Sequence, residues 1–233
     1  MSTQTISNSG DPMLNSPGLS RRTFLGLSGA TVAGLGTAAV PAARAHDGGR
    51  ATFLLIHGSW HGAWCFGLVA NTLIDNGFEV IAQDLPGFGL NAQFPSSYLA
   101  GNLNANQVSP LARITLDDWV QSPEQTILAL QQERRGPLIV VAHSAAGIIL
   151  NELGERLGGD VIDHLVHLTA YMTPAGETGN DVTTLVVQFG SLIGPVLVGD
   201  PTVTGVTRIN PNSTDPAYQA QAKNCFYNDV PPR

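Results

Sequence analysis

The run "LIVVAHSAAG", Leu138 to Gly147, limits the possible folds of this chain more than any other stretch. Leu138, Ile139, Val140 and Val141 form an unbroken apolar run, as a strand covered on both faces would. Small residues and Ser144 interrupt it, and "IILNELGERL" then resumes with helical spacing. The stretch reads as strand, sharp turn and helix, with a serine at the tip. Two readings of that serine stand side by side. It can be an N-cap that accepts a hydrogen bond from the helix start. It can also be a nucleophile, pushed clear of the sheet beside the positive helix terminus and a backbone N–H. The second needs small residues two before and two after the serine, and Ala142 and Ala146 hold those places, with Gly147 one step later.

The neighbouring stretches supply the rest of a layered fold. "ATFLLIH" (51–57) reads as a buried strand and "HGAWCFGLVANTLIDNG" as a helix stopped by Gly77. "FEVIAQDLPGFG" is a second strand running into a Pro-Gly turn. Residues 91–115 are rich in turn formers and read as a long loop or insertion. "TLDDWVQSPEQTILALQQER" opens on Thr115 as N-cap, with Pro123 as a candidate kink. "DVIDHLVHLTAYMTP" gives a fourth strand. Strands alternating with helices predict an α/β fold, a mostly parallel sheet with helices on both faces. From Ala175 the pattern turns apolar and Gly-punctuated, then polar and helical, which predicts a lid rather than more sheet. The expected division is therefore 46–174 as core and 175–230 as lid.

The first 45 residues read as a leader. Arg21-Arg22 is followed by Phe24 and Leu25, then by an uncharged stretch ending in Ala43-Arg44-Ala45, an A-x-A cleavage pattern. The stretch is long enough to span a membrane. Its Gly, Ala, Thr and Ser content favours a cleaved twin-arginine signal over a retained anchor. The expectation is export by the twin-arginine route to a periplasmic or extracellular site, with no stable membrane association after cleavage. Loss of Arg21, Arg22, Arg44 and Asp11 would leave 8 basic and 17 acidic residues in 188. That excess of acid argues against nucleic acid or an anionic membrane as partner. Cys65 and Cys225 are the only cysteines; they exclude a disulfide framework but leave a single bridge open. No CxxC, HExxH or close His/Cys set points to a metal.

"HGSWHGAWC", "DLPGFG" and "VVAHSAAG", in this order and spacing, resemble the α/β-hydrolase superfamily. Within it they are most similar to the plant methylesterase and hydroxynitrile-lyase branch and its bacterial esterase relatives. The resemblance covers roughly residues 51 to 230 and implies an α/β-hydrolase fold with a lid. It implies Ser144 as nucleophile and the backbone N–H groups of Ser59 and Ala145 as the oxyanion hole. It also implies hydrolysis of carboxylic esters through an acyl-enzyme, with no cofactor and no metal. The expected partner is a small-molecule ester with an apolar moiety, read from Leu185, Val186, Val187, Phe189, Leu192, Ile193, Val196 and Leu197; the oligomeric state is not legible. By the same resemblance His57 and His143 are structural. His61 is read as ordering its loop and Asp84 as tying its turn. Trp60 and Trp64 line an acyl pocket or belong to the core. His164 and His167, three apart on a strand, face opposite sides.

A serine hydroxyl needs a base, and the base an orienting carboxylate. In the resembled branch both follow the lid, in the order acid then histidine. Beyond Ser144 the only histidines are His164 and His167, and no acid matches; Asp181, Asp200, Asp215 and Asp229 are in or beside the lid. The expectation is a family member whose last strands, acid and base are absent from these 233 residues, with low activity. The alternatives are an inactive ligand-binding remnant, a base recruited from His61, and a hydroxynitrile lyase. The lyase fits less well. Its relatives carry a hydroxyl residue where this chain has Gly58, and no late lysine matches.

Overall fold

The computed structural model describes residues 48–134, 136–174 and 191–227. Its core is a sheet of four parallel strands: β1 (Thr52–Ile56), β2 (Glu79–Gln83), β3 (Leu138–His143) and β4 (His164–Leu168), in the order β2-β1-β3-β4. Parallel neighbours need crossovers, and helices supply them. A single 3₁₀ turn, Ala63–Phe66, leads into α1 (Gly67–Asp75) between β1 and β2. The stretch between β2 and β3 holds the short α2 (Ser96–Leu99) and the long α3 (Leu116–Glu133). Between β3 and β4 lies α4 (Gly147–Leu157). The expected loop at 91–115 is in fact broken into short helical turns, ending in a 3₁₀ turn at Pro110–Arg113.

Side-chain alternation divides the strands between two cores. Leu54 and Ile56 of β1 sit in register with Val140 and Ala142 of β3. All four are fully buried against Val120 and Ile127 of α3 and Ile149, Leu150 and Leu153 of α4. Leu55 and Val141 point the other way, onto Phe66 and Ala70 at the start of α1. The sheet is thus covered on both faces, as its apolar strands require. The cover is thicker on the side of α3 and α4. On the outer strand, Leu165, Val166 and Leu168 remain 40 to 43% exposed. α3 begins where Thr115 predicts. Its hydroxyl accepts from the Asp118 N–H, and the Asp118 carboxylate accepts from the Thr115 N–H, satisfying two orphan donors of the first turn. The helix runs through Pro123, which is buried, without a break.

After residue 174 the described chain resumes at 191. It forms α5 (Pro201–Thr204) and α6 (Pro216–Tyr227). This segment folds back on residues 104–109: the Ser109 N–H donates to Thr204 O at 2.9 Å, and Arg208 reaches the carbonyls of Asn104, Ala105 and Gln107. Its far end meets the loop after β1. Together the two pieces cap the carboxyl end of the sheet, the usual position of a site in an open parallel sheet. The expected leader, residues 1–45, falls outside the described residues, as does the apolar stretch 175–190. Among the described residues no helix is long and apolar enough to cross a membrane. Cys65 and Cys225 are both free thiols.

Candidate functional site

Ser144 stands where β3 ends, on a 3₁₀ turn (Ser144–Ala146) that leads directly into α4. Its φ is +55°, in the left-handed region where a side chain crowds the following carbonyl. Such strain costs about 1–2 kcal/mol and persists only where the surroundings enforce it. Here two close approaches do so. The Ser144 carbonyl accepts from the Tyr171 N–H at 3.0 Å, so the chain leaving β4 is tied to the turn. Gly147 lies against the same crossing: a Cβ there would sit 2.1 Å from Tyr171 O. Ala142 and Ala146 are buried, and larger side chains would have nowhere to go. Ser144 itself is half-exposed, and among the described residues nothing hydrogen-bonds its hydroxyl.

The loop after β1 packs on this turn. A Cβ on Gly58 would come within 2.6 Å of Ser144 Cβ, so glycine is what lets the two backbones meet. His57 is fully buried beneath it and has a fixed tautomer. The Leu85 N–H donates to its Nε2 at 3.1 Å, so Nδ1 carries the proton and donates to Gly58 O at 2.8 Å. In a trans peptide C=O and N–H point in opposite directions. Anchoring the Gly58 carbonyl therefore also sets the direction of the Ser59 N–H. Gly58, Ser59, Ala145 and Ala146 line one small niche beside the turn, so Ser59 and Ala145 are brought together.

The other polar residues have structural partners. Asp84 accepts from the Ala63 N–H at 2.6 Å and the Leu90 N–H at 2.8 Å, tying the Pro-Gly turn to the loop after β1. Burial raises its pKa, but those two N–H groups and the nearby His57 outweigh this and hold it below the usual carboxylate value. His61 orders its loop through Nδ1 on Ser59 O at 2.9 Å. Its Nε2 meets the Tyr227 hydroxyl of α6 at 3.0 Å. His167 faces α4, where its Nε2 meets Asn151 Oδ1 at 3.0 Å. His164 pairs with Ile139 at the opposite end of β3 from Ser144, and the two histidines take opposite faces, as their spacing predicts.

A cavity of about 620 Å³ opens beyond Trp60 and His61. Both Trp60 and Trp64 line it. Trp60 has φ +60°, a strained value for so large a residue, and is held by its indole N–H on Thr207 O at 3.3 Å and edge-on contact with Phe226. Of the apolar residues read from the sequence as the pocket, the four that are described are not its wall. Leu192, Ile193, Val196 and Leu197 do not line it, and Val196 is buried under α6, its carbonyl taking the Tyr218 hydroxyl. Leu185, Val186, Val187 and Phe189 lie outside the described residues. The wall is instead aromatic, drawn from 60–64, 88–98 and α6. Aliphatic runs drew the sequence reading elsewhere, while these aromatics are scattered singly and meet only after folding.

Burial lowers the pKa of His57 below 6.5, despite the Gly58 carbonyl and Asp84 pulling the other way. Burial, with the positive potential of His61 and His57 added, does the same for His143. The unfolded chain takes up these protons near 6.5 while the folded chain resists them. Their contribution is complete above that value and is lost as pH falls below it. The melting temperature is therefore expected to decline as pH drops from about 7 towards 5, and less steeply in His57→Phe. An unchanged slope in that variant would remove His57 from the account. The variant should also lose about 1–3 kcal/mol of stability because the Leu85 N–H is left without its acceptor.

Comparisons with known proteins agree with this architecture. The alpha/beta hydrolase family matches residues 53–232. A carbendazim-hydrolysing esterase of Nocardioides sp. (strain SG-4G) is 27% identical over 128 residues, 55% of this chain and 45% of that protein. Methylesterase 18 of Arabidopsis thaliana is 33% identical over 95 residues, 41% of this chain and 30% of that protein. The matched part thus spans less than half the length of either relative. Among solved structures, a pyrethroid hydrolase superposes with TM-score 0.55 at 20% identity, covering 78% of this chain and 62% of that one. Polyneuridine aldehyde esterase gives TM-score 0.51 at 19% identity, covering 73% and 60%. With a parallel sheet, a serine on the strand-to-helix turn and the family match over most of its length, the chain belongs to the alpha/beta hydrolase family.

Proposed function

We propose that this chain is a serine hydrolase acting on carboxylic esters, with Ser144 as nucleophile and the Ser59 and Ala145 N–H groups as oxyanion donors. The observation that carries the reading is Ser144 at φ +55° between β3 and α4, packed against Gly58. A merely capping serine needs no left-handed backbone: the N-cap conformation lies in the β region. The names of the esterase relatives support the reaction class. The neighbouring aromatic cavity supports a substrate with an apolar moiety.

The general base is the open part of the reading. Among the described residues no histidine hydrogen-bonds the Ser144 hydroxyl. We therefore assign this 233-residue chain low turnover. The competing reading, a ligand-binding relative without catalysis, makes the same prediction for turnover but not for acylation. An activated ester can acylate a poorly activated serine, and deacylation also needs a base to activate water. The acyl-enzyme should therefore accumulate. After incubation with p-nitrophenyl butyrate, peptide mass mapping is expected to find a butyryl group on Ser144, and none in Ser144→Ala. Acylation confined to other residues would leave Ser144 as a structural serine.

The twin arginines Arg21-Arg22 and the Ala43-Arg44-Ala45 pattern support export by the twin-arginine route. N-terminal sequencing of exported protein should begin at His46 within a few residues. A mature protein that retains residues 20–45 would replace cleavage by anchoring.

A further inference from the structure

The chain is acidic, with 18 Asp and Glu against 11 Lys and Arg. Its large cavity reverses that balance. Among the described residues its lining holds Arg208 and Lys223 and no Asp or Glu. Eight of the lining residues are aromatic, among them Trp64, Phe94, Tyr98 and Phe226. Phe94 and Tyr98 stack with ring centroids 4.8 Å apart, and Trp60 meets Phe226 edge-on.

Arg208 is the unusual member. It is 92% buried, and a buried guanidinium ordinarily has a carboxylate opposite it. Here its hydrogen bonds go only to backbone carbonyls. Nη1 donates to Asn104 O and Ala105 O at 3.4 Å each, and Nη2 donates to Gln107 O. The two Nη1 contacts are long, and none of the three supplies a countercharge. Nε–H and the second Nη2–H are left without a protein acceptor among the described residues. Burial pulls the pKa of this guanidinium below its ordinary value, the direction expected of a cation lacking a counter-ion. Arg208 lines the cavity together with its neighbours Thr207, Ile209 and Asn210, so the residue that carries the uncompensated charge is part of the wall. Lys223, on α6, is exposed and forms no ion pair among the described residues.

We propose that the cavity takes a ligand with an aromatic-sized apolar body and a free carboxylate, the body packing on the aromatic wall and the carboxylate pairing with Arg208. Lys223 adds attraction from the exposed side. The proposal rests on the esterase reading only in calling this ligand a substrate, an ester that carries a second, un-esterified acid group. The binding itself does not depend on that reading. A neutral ester of the same shape would bury the aromatic body equally but leave the Arg208 charge unanswered. Discrimination should therefore come from the acid group rather than from size.

Isothermal titration of the full chain with biphenyl-4-carboxylate and its neutral isostere, biphenyl-4-carboxamide, tests this. Carrying out the titrations on Ser144→Ala as well separates binding from any reaction at the serine. The carboxylate is expected to bind about tenfold or more tightly than the carboxamide, the ratio that one charge-assisted hydrogen bond supplies. Raising salt should weaken the carboxylate and leave the carboxamide unchanged. In Arg208→Met the two affinities should converge on the carboxamide value. In Lys223→Met the preference should shrink but persist. Equal affinities in the unmodified chain overturn the proposal whatever the variants do, including an Arg208→Met that fails to fold. A folded Arg208→Met, with unchanged circular dichroism, that keeps the full preference overturns the assignment to Arg208. A failed acylation at Ser144 with an intact carboxylate preference would sink the esterase reading and leave this one standing.

Discussion

Turnover of p-nitrophenyl butyrate by the 233-residue chain is expected to be about 10⁴- to 10⁶-fold slower than that of a serine hydrolase with an assembled triad, the loss measured when triad members are removed. Each histidine near the sheet's carboxyl end explains part of this. His57 has both ring nitrogens engaged, one by the Leu85 N–H and one on Gly58 O. His61 is likewise held, by Ser59 O and the Tyr227 hydroxyl. Burial keeps His143 less basic than an ordinary imidazole, and no carboxylate orients it among the described residues. On the proposed reading, what remains is oxyanion stabilisation by two N–H groups and the positioning of the ester, which lower a barrier without moving a proton. One comparison tests this account. Robust turnover by the 233-residue chain, abolished both by Ser144→Ala and by His61→Ala, would assign the base to His61.

The sheet was legible because its signal is local. Unbroken apolar runs at 53–56 and 138–141, each bounded by small or turn-forming residues, read as strands covered on both faces, and the two pair in parallel. Thr115 announced the start of α3 for the same reason, since the box that it forms with Asp118 is complete within four residues. The turn at Ser144 was legible as strand, small residues and helix. The part of the site that stayed hidden is the part made by long-range contact. Nothing in "TGVTRINP" marks Arg208 as a buried cation, because its partners are carbonyls about a hundred residues earlier. Phe226 and Tyr227 read as the end of a polar helix until α6 lays them on Trp60 and His61. Leu192, Ile193, Val196 and Leu197 misled in the other direction, since hydrophobicity in sequence does not say which cavity, if any, a side chain faces.

Gly147→Val is expected to be strongly destabilising. The sequence placed the tight positions of the turn at Ala142 and Ala146, by analogy with the spacing of small residues around a nucleophile. The structure adds Gly147, where not even a Cβ fits. A Cβ there would lie 2.1 Å from Tyr171 O, 2.6 Å from Tyr171 N and 2.9 Å from Tyr171 C. All three are backbone atoms, so no rotamer change relieves the clash. Either α4 or the chain after β4 has to move, and such overpacking costs about 1–3 kcal/mol. The movement also separates the Tyr171 N–H from Ser144 O, now 3.0 Å apart, which orphans a donor and an acceptor for roughly another 1–3 kcal/mol. Against a total of about 5–15 kcal/mol for a domain, the sum is a large fraction. Denaturant unfolding should therefore show a much lower midpoint for Gly147→Val, with Gly147→Ala already impaired because the clash begins at Cβ. The same displacement releases the tie that holds Ser144 at φ +55°, so acylation of Ser144 should fall further than the stability loss alone explains. A contrasting variant, Ser144→Gly, keeps the tie and removes the Cβ strain, and should melt a few degrees higher, reflecting about 1 kcal/mol regained. A Gly147→Val chain as stable as the unmodified one would mean that the crossing at Tyr171 is not what holds the turn.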